Sequence, residues 1–211
     1  ANEIYVARDF GPGTMTRSGY PRQVKRLKRG QALAEAPLVF EISAEDLGAW
    51  PTVTQEKDSR VEMLIRVIST RRSESFVVRE GKLVKLELPE TVDATVAAGS
   101  LYVRLREDWK PAASAHGAGE LLVIDLGKFL AGSRGFETLF KPGPRVSLAS
   151  FAPMKSMVML DLLDNVASRL VEMRRGADGQ WVSREVDAPK LATLGASALD
   201  RRESDDYLLY V

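Results

Sequence analysis

The sequence predicts an all-β fold assembled from repeated four-stranded antiparallel sheets, and three observations lead there. Short β-rich runs recur with Gly, Pro, Asp and Asn between them. Several runs alternate apolar and polar residues, while others are apolar throughout. Corresponding runs return at a near-regular interval.

The clearest runs are 4–7, 38–42, 63–68, 75–78, 83–88, 101–105, 121–126, 157–163 and 207–211. Leu101, Val103 and Leu105 alternate with Tyr102, Arg104 and Arg106. A strand turns successive side chains to opposite faces, so this run predicts one apolar and one polar face. Leu121-Leu122-Val123-Ile124 and Met157-Val158-Met159-Leu160 offer no polar face. Such strands are expected between two other layers, as where sheets stack face to face. Ala177-Asp178-Gly179-Gln180 reads as the turn of a hairpin. Two segments also admit a helix: Val166, Leu170 and Met173 fall at i, i+4, i+7, and Leu191 and Leu194 fall at i, i+3 within 190–200. Gly195 weakens the second of these.

If Met63, Val103, Val158 and Leu208 are equivalent, the mean spacing is about 48 residues, within the range of β-propeller blades. That frame predicts a partial blade of three strands over 3–42, whole blades over 47–89, 92–141 and 146–187, and the start of another over 191–211. All belong to one propeller domain spanning 1–211. Periodicity alone leaves a β-sandwich or two small β-domains open. Both termini are apolar and strand-like, which leads us to expect a stretch of a longer protein, with Ala1 foreign to it.

Composition excludes several classes of function. Thirty basic and 29 acidic side chains give a net charge of +1, so the surface as a whole does not seek nucleic acid or anionic membrane. The absence of cysteine removes disulfides, thiolate nucleophiles and Cys-based zinc sites, and leaves the compartment open. No apolar run approaches the ~20 residues a membrane helix needs. The segment 17–29 carries Arg17, Arg22, Lys25, Arg26, Lys28 and Arg29 without an acid. A phosphate-binding stripe is one reading of it. A solvated hairpin that discourages edge pairing is the better one.

Chemistry is also sparse. A nucleophile elbow needs Gly-x-Ser-x-Gly, and the nearest strings, Ala131-Gly132-Ser133-Arg134-Gly135 and Gly195-Ala196-Ser197-Ala198-Leu199, each miss a glycine. The single histidine, His116, lies in a run of small residues and is expected to be a solvated loop residue. Asp161 with Asp164, and Asp205 with Asp206, are acid pairs expected in turn and surface roles. Asp9 to Thr14 lacks the spacing of a phosphate loop and reads as a connection between strands. No residue is assigned as catalytic, cofactor-binding or metal-binding, and no substrate-contacting residue is assigned.

The strings Asp9-Phe10-Gly11-Pro12-Gly13-Thr14-Met15-Thr16-Arg17-Ser18-Gly19-Tyr20-Pro21-Arg22, Lys28-Arg29-Gly30 and Val39-Phe40-Glu41 resemble bacterial members of the prolyl oligopeptidase family, in their propeller region. The resemblance continues through Gly81 to Pro89, Leu105 to Trp109 and Leu162 to Val166. It implies a parent with a seven-bladed propeller over an α/β-hydrolase domain that cleaves short peptides after proline. The family's catalytic Ser, Asp and His lie in that domain and match no position here. The partners so implied are the parent's hydrolase domain and the short peptides passing to it, with no nucleic acid, membrane or cofactor. The implied setting is a soluble protein of bacterial cytoplasm or periplasm. A stand-alone propeller that binds a protein or peptide is the alternative, and a propeller hydrolase or lactonase a third reading. Exposed blade ends are expected to pair, as a homodimer or within one chain.

Overall fold

The computed structural model describes residues 2–55, 60–189 and 192–211. Strand covers 52% and helix 4% of the chain, so the all-β expectation holds. Two compact units are distinguished, the first built from 1–54 and 60–92 and the second from 55–59 and 93–211. No helix among the described residues is long and apolar enough to cross a membrane.

The first unit holds two sheets. Strands β1 (Glu3–Ala7), β2 (Gln23–Lys28) and β3 (Leu38–Glu41) form a three-stranded antiparallel sheet. Strands β4 (Gly48–Gln55), β5 (Arg60–Ser69), β6 (Arg72–Arg79) and β7 (Lys82–Lys85) form a four-stranded one. Their facing sides meet through Val24, Phe40, Ile42, Ala49 and Leu64, with Tyr5 and Phe76 at the margin. The β6–β7 hairpin turns on Glu80 and Gly81, both at positive φ (51° and 76°). Two consecutive positive φ values define the type I′ turn that matches strand twist.

The second unit holds three sheets. Strands β8 (Asp93–Ala97), β9 (Ser100–Arg104), β10 (Leu121–Asp125) and β11 (Glu137–Phe140) form one; β12 (Val146–Pro153), β13 (Met157–Asp164), β14 (Ala167–Arg175) and β15 (Trp181–Glu185) form the next. The two-stranded pair β16 (Gly195–Ala198) and β17 (Tyr207–Tyr210) follows. In each complete sheet the strands stand in chain order, each antiparallel to the next, which is the build of a propeller blade. Met63, Val103, Val158 and Leu208 all fall in the second strand of their sheets. A five-residue helix, α1 (Leu126–Leu130), follows β10 and is capped by Asp125, whose carboxylate accepts from the Lys128 amide at 2.7 Å.

The β12–β15 sheet is covered on both faces. Val158, Leu160, Leu162, Val171 and Met173 pack against Tyr102, Leu121, Val123, Leu139 and Phe140 of the β8–β11 sheet. On the other face Met157, Met159 and Leu170 meet Leu194 and the partly buried Ala196, Ala198 and Tyr207. The 157–160 run therefore sits between layers, as its composition predicts, and Leu121, Leu122, Val123 and Ile124 are all buried. The helical alternatives fail for the same reason. Leu170 and Met173 serve opposite faces of β14, a period of two that a helix cannot supply. Gly195 to Ala198 is strand, while Lys190 and Leu191 lie outside the described residues, as does the first residue of the last partial blade. The turn after Arg175 is a hairpin, with the Gly176 amide donating to Gln180 O at 2.7 Å.

The polar face read in the β9 run is corrected. Tyr102 is buried in the core between sheets, and Arg104 reaches across to β12, where Ala149 is an extra residue in the register. Its guanidinium donates to the carbonyls of Leu148 (2.5 Å) and Ala149 (2.9 Å). A bulge leaves backbone groups outside the ladder, and the arginine supplies their partner.

Leu160, at the centre of the doubly covered sheet, tests this packing. Leu160→Ala should cost about 2–5 kcal/mol in chemical denaturation. A loss below about 0.5 kcal/mol would contradict the burial described.

Candidate functional site

The connection from β9 to β10 is a long hairpin extension that turns His116 inward. Leu105 N donates to Glu120 O at 2.9 Å, and Trp109 and His116 exchange backbone hydrogen bonds of 2.9 and 2.8 Å. Asp108 Oδ1 accepts from the Ala118 amide at 2.9 Å and closes the tip. His116 is therefore 8% exposed, which overturns the expectation of a solvated loop residue. Its burial comes from Phe136, twenty residues downstream, whose ring meets those of His116, Trp109 and Phe129 edge-on at 6.5, 5.2 and 6.0 Å. Local composition carries no sign of that contact.

His116 Nδ1 lies 3.2 Å from Oε2 of the buried Glu120. Thr138 Oγ1 is 3.5 Å from the same oxygen, and Lys141 Nζ is 3.8 Å from Oε1. A histidine oriented by a carboxylate is the supporting half of a nucleophilic triad. Here Nε2 is buried, and among the described residues no hydroxyl or other partner is brought to it. A cavity of about 360 Å³ beside the pair is lined by Asp108, Trp109, Lys110, His116, Glu120 and Lys141. The arrangement holds the loop.

The acid pairs do not converge. Asp161 and Asp164 are three residues apart on one strand, and an odd offset sends them to opposite faces. Asp161 is half-buried, and burial raises its carboxyl above the ordinary range despite a 3.4 Å bond from Ser150 Oγ. Asp164 accepts from Arg169 at 3.1 Å. Asp205 takes the Ser156 amide at 2.8 Å, the Ser156 hydroxyl and Arg174, so it ties the β17 approach to the β12–β15 sheet. Among the described residues, no three or more His, Asp or Glu stand where they could hold a metal ion.

The basic segment 17–29 is largely neutralised in place. Arg17 pairs with Glu45, Arg22 with Glu41, and Arg26 with Glu62, at 2.9, 3.0 and 2.6 Å. Lys25 Nζ sits 4.8 Å above the centre of the Phe10 ring. Its charge is spent on packing.

Two acids not singled out in the sequence, the partly buried Glu62 and the buried Glu172, organise the joints between sheets. In the first unit Glu62 accepts from the Tyr5 hydroxyl, Arg26 (2.6 Å) and Arg60 (2.7 Å). Burial pushes its carboxyl up, and the bonds from Tyr5, Arg26 and Arg60 outweigh that and hold it below the ordinary range. In the second unit Glu172 is 1% exposed and accepts from Arg184 at 2.8 and 3.0 Å and from the Tyr207 hydroxyl at 3.0 Å. The Arg184 bonds hold it low against the opposing effect of burial, with Tyr207 and Arg174 adding to them. A third tie runs from Glu137 to Arg175 at 2.7 and 2.8 Å, with the guanidinium over the Trp181 ring at 4.2 Å. The available signal was a lone acid within an apolar strand, Leu170-Val171-Glu172-Met173, since an acid is rarely buried unless paired.

Blades of this build, joined by acid–arginine–tyrosine ties, define a propeller-type scaffold. No family model matches the chain. An uncharacterized peptidase of Sinorhizobium fredii, y4nA, is 30% identical over 219 aligned positions, which cover 99% of this chain and 30% of that protein. A post-proline cleaving enzyme from Rickettsia typhi has the same fold over 99% of this chain and 31% of its own, with a TM-score of 0.88 at 20% identity. Oligopeptidase B from Leishmania major matches 99% of this chain and 29% of its own, with a TM-score of 0.67 at 12% identity. The chain is thus similar, along nearly its whole length, to the β-propeller region of prolyl oligopeptidase-type peptidases, and it spans about 30% of the length of the relatives it matches.

Glu172→Gln provides a test of the second joint. Glu172 sits below the ordinary glutamate range when folded, so its stabilisation is complete above about pH 4.3 and is lost as pH falls through the lower folded value. The variant should lose about 1–3 kcal/mol at pH 7, discounted because Arg184 is largely exposed, and the deficit should shrink in acid. A deficit in urea unfolding that is equal at pH 7 and pH 3.5 would contradict this.

Proposed function

We propose that this chain is the substrate-gating and docking region of a prolyl oligopeptidase-like serine peptidase whose parent hydrolyses short peptides after proline. The observation that carries the reading is the match of 99% of the chain, at a TM-score of 0.88, to less than a third of a post-proline cleaving enzyme. The β12–β15 sheet is covered on both faces, and acid–arginine–tyrosine ties hold sheet to sheet. Laid over a hydrolase cleft, such blades would admit an extended peptide and turn away a folded protein. Excluding bulk water there would also strengthen the electrostatics around a reacting carbonyl. Bond breaking is left to the hydrolase domain of the parent.

The test compares this chain with the full-length parent on proline-containing chromogenic peptides and on a folded protein substrate. The parent should cleave the short peptides after proline and spare the folded protein, and this chain alone should cleave neither. A parent that ignores proline, or turnover by this chain that survives repurification, overturns the reading. The second reading is a stand-alone module that binds a protein or peptide, and a parent without peptidase activity would favour it.

For the isolated chain we infer self-association. Leu208, Tyr210 and Val211 are half or more exposed beside a two-stranded sheet, and apolar strand surface of that kind seeks cover. Pairing with the three-stranded β1–β3 sheet of a second copy would supply it. Light scattering should give a mass that rises with concentration above the 23.3 kDa of one chain. A concentration-independent monomer sinks the inference.

A further inference from the structure

The loop between β1 and β2 builds an exposed aromatic platform in the first unit. Thr16 anchors it: its buried hydroxyl donates to Leu47 O at 3.0 Å and accepts from the Tyr20 amide at 3.2 Å, while its own amide donates to Tyr20 O at 2.8 Å. Met15 and Pro21 form a β-bridge, and the Ala49 amide donates to Pro21 O at 2.8 Å. These bonds hold Tyr20 beside Trp50 of β4, with ring centroids 5.5 Å apart and planes at 50°. Gly48 lies beneath. A Cβ there would stand 2.5 Å from the Trp50 ring and 2.9 Å from Tyr20 Cβ, so the indole rests directly on glycine backbone.

Both rings remain open, Tyr20 at 46% and Trp50 at 36% exposure. Their polar tips are open too. The hydroxyls of Tyr5, Tyr207 and Tyr210 are engaged by Glu62, Glu172 and Ser197. No hydrogen bond among the described residues engages the Tyr20 hydroxyl or the Trp50 indole N–H. Two tilted aromatic faces with a free indole donor match the needs of a proline-containing peptide. The flat ring of proline packs on an aromatic face, and the extended polyproline II backbone leaves its carbonyls free to accept. Little ordering is needed on either side, since the peptide is stiff and the platform is held by its own loop.

We propose that Tyr20 and Trp50 form a docking subsite for proline-containing peptide segments, with the Trp50 indole N–H donating to a peptide carbonyl. The assignment deepens the peptide-handling reading above and rests on it for its role, while the binding itself can be measured without hydrolysis.

The experiment titrates this 211-residue chain with capped hexaproline and follows the indole N–H signals of its three tryptophans by NMR. The Trp50 signal, assigned with Trp50→Phe, should shift saturably, and those of Trp109 and Trp181 should stay. A capped Ala-Gly hexapeptide should leave all three in place. Tyr20→Ala and Trp50→Ala, each checked for a folded backbone spectrum, should weaken binding on the order of tenfold or more, followed through backbone amides of the loop. Should Trp50→Ala fail to fold, Trp50→Phe keeps a ring, lacks the donor, and should still bind measurably weaker. Equal binding of the two peptides, unchanged affinity in the variants, or no shift at millimolar hexaproline overturns the proposal. A parent that fails to cleave after proline would sink the peptidase reading and leave this result standing.

Discussion

A sheet whose middle strands are apolar on both faces must be covered twice, and the second unit is organised by that requirement. Met157 and Met159 look one way along β13 while Val158 and Leu160 look the other. Each face, left wet, would cost about 25 cal/mol for every Å² of apolar surface, so the β12–β15 sheet is stable only between neighbours. The β8–β11 sheet covers one side, and β16, β17 and Leu194 cover the other. Glu172, which lies on one of those faces, finds its partners within the protein.

The buried Glu172 and the partly buried Glu62 share one design. Glu62 and Glu172 lie in different units, yet each accepts from an arginine and from a tyrosine hydroxyl carried by another sheet, Tyr5 in one case and Tyr207 in the other. Burial alone would drive either carboxyl toward its neutral form. Two or three donors reverse that. Because the donors come from separate sheets, the full set of bonds at each site forms only when its sheets are packed together. Arg104 does the same for backbone groups, supplying donors to a bulge that its own sheet cannot reach.

Against those closed networks the exposed aromatics of the first unit stand apart. Backbone and threonine bonds hold Tyr20 beside Trp50, but nothing described engages the Tyr20 hydroxyl or the Trp50 indole N–H. Fold similarity at 20% and 12% identity is consistent with this division. Blades ask for alternation, turns and covered faces, which many sequences meet, whereas a surface platform depends on particular rings over a particular glycine.

Much of the architecture was legible in the sequence, because strand period and turn chemistry are local. The runs at 101–105, 121–126 and 157–163 announced strands, and the doubly apolar run at 157–160 announced a sheet covered on both faces. Residues such as Val166, Leu170 and Met173 were ambiguous, since their spacing suits a helix as well and only the pairing of β14 with β13 and β15 decides between them. The site residues were hardly legible. His116 reads as loop from its neighbours and is buried by Phe136; Arg104 reads as surface and caps a distant bulge; Glu172 reads as a strand acid and becomes a joint with Tyr207. By itself the sequence determined where strands and turns fall and which faces are apolar, for those follow from backbone sterics and hydrophobic pattern within a few residues. Only the tertiary structure decided which charges are buried and by what they are held, because desolvation and pairing depend on groups 20 to 57 residues away that meet only once the sheets have stacked.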